Sequence, residues 1–166
     1  MTETTADVVI RPVRAEDADG VYALRLLPTV LDGTLAMPSE RIEGTRQRLG
    51  AYGPDIHSLV AVLDGQIVGM AGLHVESGRR RHTASVGMMV HDRFQGRGIG
   101  RRLLAALLDV ADNYLGLVRV ELEVFSDNVR AIRLYESAGF VHEGRKRKAI
   151  FRHGRHQDSL LMARVH

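Results

Sequence analysis

The segment Gln95-Gly96-Arg97-Gly98-Ile99-Gly100-Arg101-Arg102 interleaves three glycines with three arginines. Glycines let a backbone come close to a ligand and turn its N–H groups inward, with no Cβ in the way. The apolar residues that follow, Leu103, Leu104, Leu107, Leu108 and Ala111, recur at helical spacing. The glycines therefore lead into a helix N-terminus, whose unpaired N–H donors and dipole add positive potential. Arg97, Arg101 and Arg102 supply counter-charge, so the chemistry on offer is capture of a pyrophosphate-like anion. Two nucleotide motifs fail on spacing. Counting G-x-G-x-x-G from Gly96 or Gly98 puts Arg101 or Leu103 at the third glycine position, and no lysine precedes Lys146, as a Walker loop requires. The plain alternative is a glycine-rich turn with solvated arginines.

Other clusters offer less. Of eight histidines only His153 and His156 are close, with no cysteine anywhere in the chain and no H-E-x-x-H pattern, so no metal site is expected. Arg145-Lys146-Arg147-Lys148 lacks interleaved stacking aromatics and reads as a solvated strand edge rather than a nucleic-acid patch. Net charge is only +3, with 21 arginines and two lysines, which fits a local anion site and gives no reason to expect nucleic acid as a partner. At 166 residues, 45% hydrophobic and 26% charged, the chain has the composition of one globular domain, and no apolar run is long enough to span a membrane. Residues 1–7 read as a loose tail without the basic start and apolar stretch of a secretory signal, so a cytoplasmic location is expected.

The elements that must position these residues follow from periodicity. Strands are predicted at 8–10, 59–63, 66–75 and 83–90, with Asp64-Gly65 as a hairpin turn. Helices are predicted at 15–27, from Ser39 as cap to about 49, and from Gly98 to Leu115, where Gly116 stops the chain. Segment 28–38 reads as a partly apolar connection. Val118, Val120, Leu122 and Val124 alternate with polar residues as a strand; a helix follows at 128–138, capped by Ser126 or Asp127 and stopped by Gly139. Segments 140–151 and 158–165 complete an antiparallel pair turning near His153-Gly154. The order is that of a single α/β domain with a mixed sheet and helices on both faces.

Gln95-x-x-Gly98-x-Gly100 matches the acetyl-CoA-binding Q/R-x-x-G-x-G/A motif of the GNAT family, the GCN5-related N-acetyltransferases, and Asn128, Ala131, Leu134-Tyr135-Glu136 and Gly139-Phe140 resemble that family's second signature. With Thr34-Leu35, Pro38, Arg79 to Arg81 and Val124-Phe125-x-Asp127-Asn128, the chain is most similar to bacterial members that acylate free L-amino acids. The resemblance covers 8–166. It implies a mostly antiparallel sheet of about seven strands, acetyl-CoA as co-substrate, no metal, a small-molecule amine as partner and a homodimer. It also implies residue roles. Strands four and five would splay, with the backbone of Met88, Met89 and Val90 against the pantetheine arm and the Met89 N–H facing the developing oxyanion. Residues Gly96, Arg97, Gly98, Ile99, Gly100 and Arg101 would hold the pyrophosphate, with Gln95 opening the motif. Asn128 would bond near the thioester arm, or simply cap its helix. Tyr135 would give a proton to the leaving thiolate, unless it is only a core tyrosine. Glu123 stands where some members carry a general base, with Glu121 on the same strand face; the alternative is that both pair with surface arginines. Leu31, Leu35 and Met37 would form an apolar acceptor pocket, or else belong to the core. A protein N-terminus, a lysine or a polyamine is the rival acceptor, and a non-catalytic CoA-binding sensor the rival from another class.

Overall fold

A computed structural model describes residues 7–166, so all of the predicted tail but Asp7 lies outside the described residues. Seven strands form one sheet: β1 Val9–Pro12, β2 Ile56–Leu63, β3 Gln66–Val75, β4 Thr83–Val90, β5 Arg119–Phe125, β6 Val141–Arg152 and β7 Arg155–Val165. Their spatial order is β1-β2-β3-β4-β5-β7-β6. Every neighbouring pair is antiparallel except β4 and β5, which run parallel. Alternating side chains put Val120, Leu122 and Val124 of β5 in the core while Glu121 and Glu123 face outward, as the period of two requires.

Among the described residues five α-helices accompany the sheet: α1 Ala18–Arg25, α2 Pro28–Gly33, α3 Ile42–Gly50, α4 Ile99–Asp109 and α5 Val129–Ser137. Leu103, Leu104 and Leu107 of α4 are completely or almost completely buried and pack with Val68, Ala71 and Leu73 of β3; each such side chain contributes roughly 1.5–3 kcal/mol over leaving it in water. The approach is close at Gly69, where a Cβ would stand 3.0 Å from Leu103 Cδ1. On α1, Val21 and Leu24 build a second cluster with Val30, Val60, Ile67 and Met70.

Several predicted boundaries move for physical reasons. The helix expected at 15–27 opens with a 3-10 turn at Ala15–Asp17, because the buried Asp17 carboxylate accepts the Arg14 N–H at 2.7 Å and two Arg11 bonds at 2.8 Å. Segment 28–38 is not a plain connection: Pro28, its φ preset, starts α2. Ser39 is not a cap; α3 begins at Ile42 with Arg41 in the N-cap position. The long predicted helix ends its α geometry at Asp109 and widens into a π turn at Val110–Tyr114, before Gly116 turns the chain with φ 61°. β6 is an edge strand, as β1 is at the other side; a register shift between Lys146 and Ile150 breaks its ladder, and Lys148 takes φ 52°.

Candidate active site

β4 and β5 pair only where residues 83–85 meet 119–121. Beyond Ser85 the strands part, and a cavity of about 1010 Å³ lies in the opening. Met88, Met89 and Val90 form one wall; Ala131 and Leu134 of α5 form the other. The floor is narrow at Gly100, where a Cβ would meet Leu134 Cδ2 at 3.3 Å and Met88 Sδ at 3.6 Å. The register decides which amides face this space. His91 donates its N–H to Val68 O of β3 at 2.8 Å, so Met89, two residues earlier, also directs its N–H to β3. The amides that alternate toward the opening are those of Met88 and Val90. The expectation that the Met89 N–H serves an oxyanion is corrected accordingly; pattern alone carries no register.

The glycine-rich turn borders the same cavity through Gln95, Gly96, Gly98, Ile99, Gly100 and Arg101. Gly96 and Gly98 have φ 75° and 78°, a left-handed conformation that side chains with a Cβ resist, and Gly98 is the N-cap of α4. Gln95 braces the turn. Its Nε2 donates to Val90 O and Thr29 Oγ1, both at 3.3 Å, and its Oε1 accepts from Arg130 Nη1 at 2.6 Å. Arg97 is not part of the wall: its guanidinium carbon sits 5.2 Å from the centre of the Phe94 ring. Arg102 turns away to Val8 O at 2.7 Å. In their place Arg130 and Arg133 join Arg101 around the cavity. Sequence reasoning passed over both, although residues 130, 133 and 137 share one helical face at three- and four-residue steps.

At the other end, α2 and the β6–β7 tip face each other. Asp32 of α2 meets Arg152 and His153 there, and Thr34, Asp127 and Asn128 line the same cavity. His153 Nε2 lies 3.1 Å from Asp32 Oδ1. Arg152 donates to Asp32 O at 2.5 Å, to Gln157 Oε1 at 2.7 Å and to the Asp127 carboxylate, with its guanidinium over Phe125. The apolar pocket expected from Leu31, Leu35 and Met37 does not form. Leu35 and Met37, beyond the end of α2, are 77% and 59% exposed, and none of the three lines the cavity.

A family model, Acetyltransferase (GNAT) family, matches residues 27–140. The chain belongs to this family. It is 35% identical over 161 residues to the L-amino acid N-acetyltransferase AaaT of Escherichia coli (strain K12), covering 96% of this chain and 99% of that one. It is also 33% identical over 92 residues to the spermidine N(1)-acetyltransferase of Vibrio cholerae, covering 55% of this chain and 53% of that protein. A crystal structure of a GNAT-family acetyltransferase from Streptococcus pneumoniae superposes with a TM-score of 0.84 at 25% identity, over 96% of this chain and all of that one. The protein is thus an N-acetyltransferase of the GNAT type, and the family uses acetyl-CoA.

The side chains singled out for catalysis in this GNAT enzyme fall in different places. Asn128 is on the cavity wall and is the cap of α5 as well, its Oδ1 accepting the Ala131 N–H at 3.2 Å; neither Ser126 nor Asp127 takes that role. Tyr135 is 6% exposed, its ring 5.7 Å from that of Phe140, and it directly follows the lining residue Leu134 on α5. Burial pushes its phenol up to about 12, so the hydroxyl stays protonated across the working range of pH. Glu123 is outside the cavity wall, held by Lys146 Nζ at 2.8 Å and by the buried Ser159 hydroxyl. Burial raises its carboxyl, but those two hydrogen bonds outweigh it and leave the pKa below the ordinary value. Glu121 pairs with Arg119 at 2.8 Å. Among the described residues no group of three or more His, Cys, Asp or Glu is placed to hold a metal ion, and no helix is long and apolar enough to cross a membrane.

Proposed function

We propose that this acetyltransferase moves an acetyl group from acetyl-CoA to the α-amino group of a small free L-amino acid or a close analogue, within a ternary complex. The observation that carries the acceptor class is the charge around the cavity. Its two carboxylates, Asp32 and Asp127, already face His153 and Arg152, whereas Arg101, Arg130 and Arg133 lie toward the glycine turn. The lining carries four arginines against these two carboxylates, an unfavourable field for a polycation, whereas a small molecule with its own carboxylate finds cationic partners. The full-length likeness to an L-amino acid N-acetyltransferase supports the same choice.

Acetyl-CoA supplies the activated acyl group as a thioester. The residues present fit it: two left-handed glycines, the N-terminus of α4 and three arginines suit a pyrophosphate, and the unpaired edge of β4 suits the amides of the pantetheine arm. In this reading the Val90 or Met88 N–H stabilises the developing charge on the thioester oxygen. Asn128 orients the arm, and Tyr135 donates the proton that the leaving thiolate takes up. Glu123, tied to Lys146 and Ser159, is left a minor part, and the alignment of amine and thioester supplies the larger share of the rate.

The test is acetyl-CoA-dependent thiol release against free L-amino acids, methionine sulfoximine, phosphinothricin, polyamines and short peptides. Turnover confined to amino acids and their analogues is the expected result. Turnover of peptides or polyamines alone overturns the acceptor class. Silence across the panel with CoA still bound moves the protein to the sensor reading.

A further inference from the structure

The acceptor end of the cavity contains two pairs both of whose members lie on the wall, His153 with Asp32 and, between side chains charged throughout the neutral range, Arg152 with Asp127. The members of the second pair are unequally held. The guanidinium is fixed by Asp32 O, by Gln157 Oε1 and by the Phe125 ring 5.2 Å away, and its side chain is only 17% exposed. The Asp127 side chain is 52% exposed, on the short connection just before Asn128 and α5. Arg152 Nε and Gln157 Nε2 are buried without any hydrogen-bond partner. A guanidinium has five N–H groups and Arg152 engages three of them, so this end holds more donors than the chain supplies acceptors for. Surplus donors beside the half-exposed Asp127 carboxylate form the complement of a molecule that bears a carboxylate and an ammonium on neighbouring atoms.

We propose that Arg152 and Asp127 form a zwitterion subsite, Arg152 taking the α-carboxylate of the acceptor and Asp127 its α-ammonium before deprotonation. The subsite rests on the amino-acid reading above and sharpens it. Arg152 makes the carboxylate a requirement, because the guanidinium is already oriented and loses little freedom on binding. Asp127 is a positioning group, not a base: it holds the amine beside Asn128, on the side of the cavity toward β4. A polyamine or a peptide N-terminus brings an amine without an adjacent carboxylate, and Arg152 then has nothing to receive.

The experiment compares steady-state kinetics of the full-length enzyme on its best free amino acid, on that amino acid's amide and on the corresponding decarboxylated amine. In the wild type the amide and the amine are expected to lose about 10²-fold in kcat/KM, mainly through KM. In Arg152→Lys the acid-to-amide ratio is expected to fall below about tenfold, since a point charge does not replace the fork. Asp127→Asn is expected to raise KM for acid and amide alike. The comparison of acid with amide in the wild type needs no variant to fold. Equal use of acid and amide by the wild type, or an unchanged ratio in a folded Arg152→Lys enzyme, overturns the subsite while leaving the amino-acid reading intact. A wild type that ignores every free amino acid yet acetylates polyamines or peptides overturns that reading, and the subsite with it.

Discussion

Replacing Tyr135 by Phe removes one oxygen and keeps the ring that packs 5.7 Å from Phe140 in a site only 6% exposed. Stability is expected to move by less than ~1 kcal/mol, the net scale of one hydroxyl's interactions. The catalytic effect can be sized from the phenol's environment. Burial raises it to about 12, whereas a leaving thiolate resembles that of cysteine, near 8.5. Complete proton transfer from this phenol is then uphill by ~3.5 pKa units, or ~5 kcal/mol. An acid so mismatched works by partial donation in the transition state, at the lower end of the ~10²–10⁴-fold range for general acids. Tyr135→Phe is therefore expected to lower kcat by about 10²-fold, with KM for acetyl-CoA little changed. The wild-type kcat profile should show no descending limb from this group until the pH nears about 12. The assay is thiol release at saturating acetyl-CoA and amine, with a thermal melt of both proteins. A folded variant within about threefold of wild-type kcat refutes the acid role and leaves Tyr135 a core residue.

Three further outcomes are expected. Glu123→Gln should change kcat by less than about fivefold, because its carboxylate is held by Lys146 and Ser159 outside the cavity; a 10²-fold loss together with the acid limb of the pH profile restores Glu123 as base. Gly98→Ala should cost roughly 1–2 kcal/mol, since the N-cap of α4 has φ 78°, and should raise KM for acetyl-CoA more than it lowers kcat; equal melting and equal KM contradict the anion-turn role. Glu40 accepts Arg25 at 2.6 and 2.8 Å, and those bonds first, then the nearby charges, depress its carboxyl to about 2. A depressed folded pKa stabilises fully above the unfolded value and is lost as pH falls through the folded one. The melting gap between wild type and Glu40→Gln should accordingly be widest above about pH 5, worth at most ~3 kcal/mol, and close toward pH 2; a pH-independent gap refutes the assignment.

The strands were legible in the sequence because alternation is a local signal: β3 and β4 have the bounds predicted from pattern, and the last hairpin turns at His153 and Gly154, both at positive φ. The family motif likewise placed the glycine turn, which lines the cavity with Gly96 and Gly98 at φ 75° and 78°. What escaped depends on partners distant in the chain. α2 is six residues long, with one buried side chain, and is recognisable as a helix only once Val30 packs against β2 and β3. The direction of the Met89 N–H follows from pairing with β3, and the displacement of Arg97 by Arg130 and Arg133 from the way α5 crosses the opening. Arg152 was invisible because its partners come from three segments, near residues 32, 127 and 157.

The one parallel step in the sheet explains why these pieces meet. β4 and β5 point the same way, so each ends at the same edge of the sheet, and each there hands the chain to a helix: β4 through the glycine turn to α4, β5 through Asp127 and Asn128 to α5. Two helix N-termini, Gly98 and Asn128, consequently border one cavity. An antiparallel β5 would have carried α5 to the opposite edge, far from the glycines. Because the strands also separate after three paired positions, β4 presents backbone amides with no strand partner between those two positive ends. A ligand that is amide-bearing along one part and anionic at another satisfies both features at once, whereas an inorganic anion or a simple peptide satisfies only one. The acceptor is then confined to the remaining side, between α2 and the β6–β7 tip, where its charges meet Arg152 and Asp127.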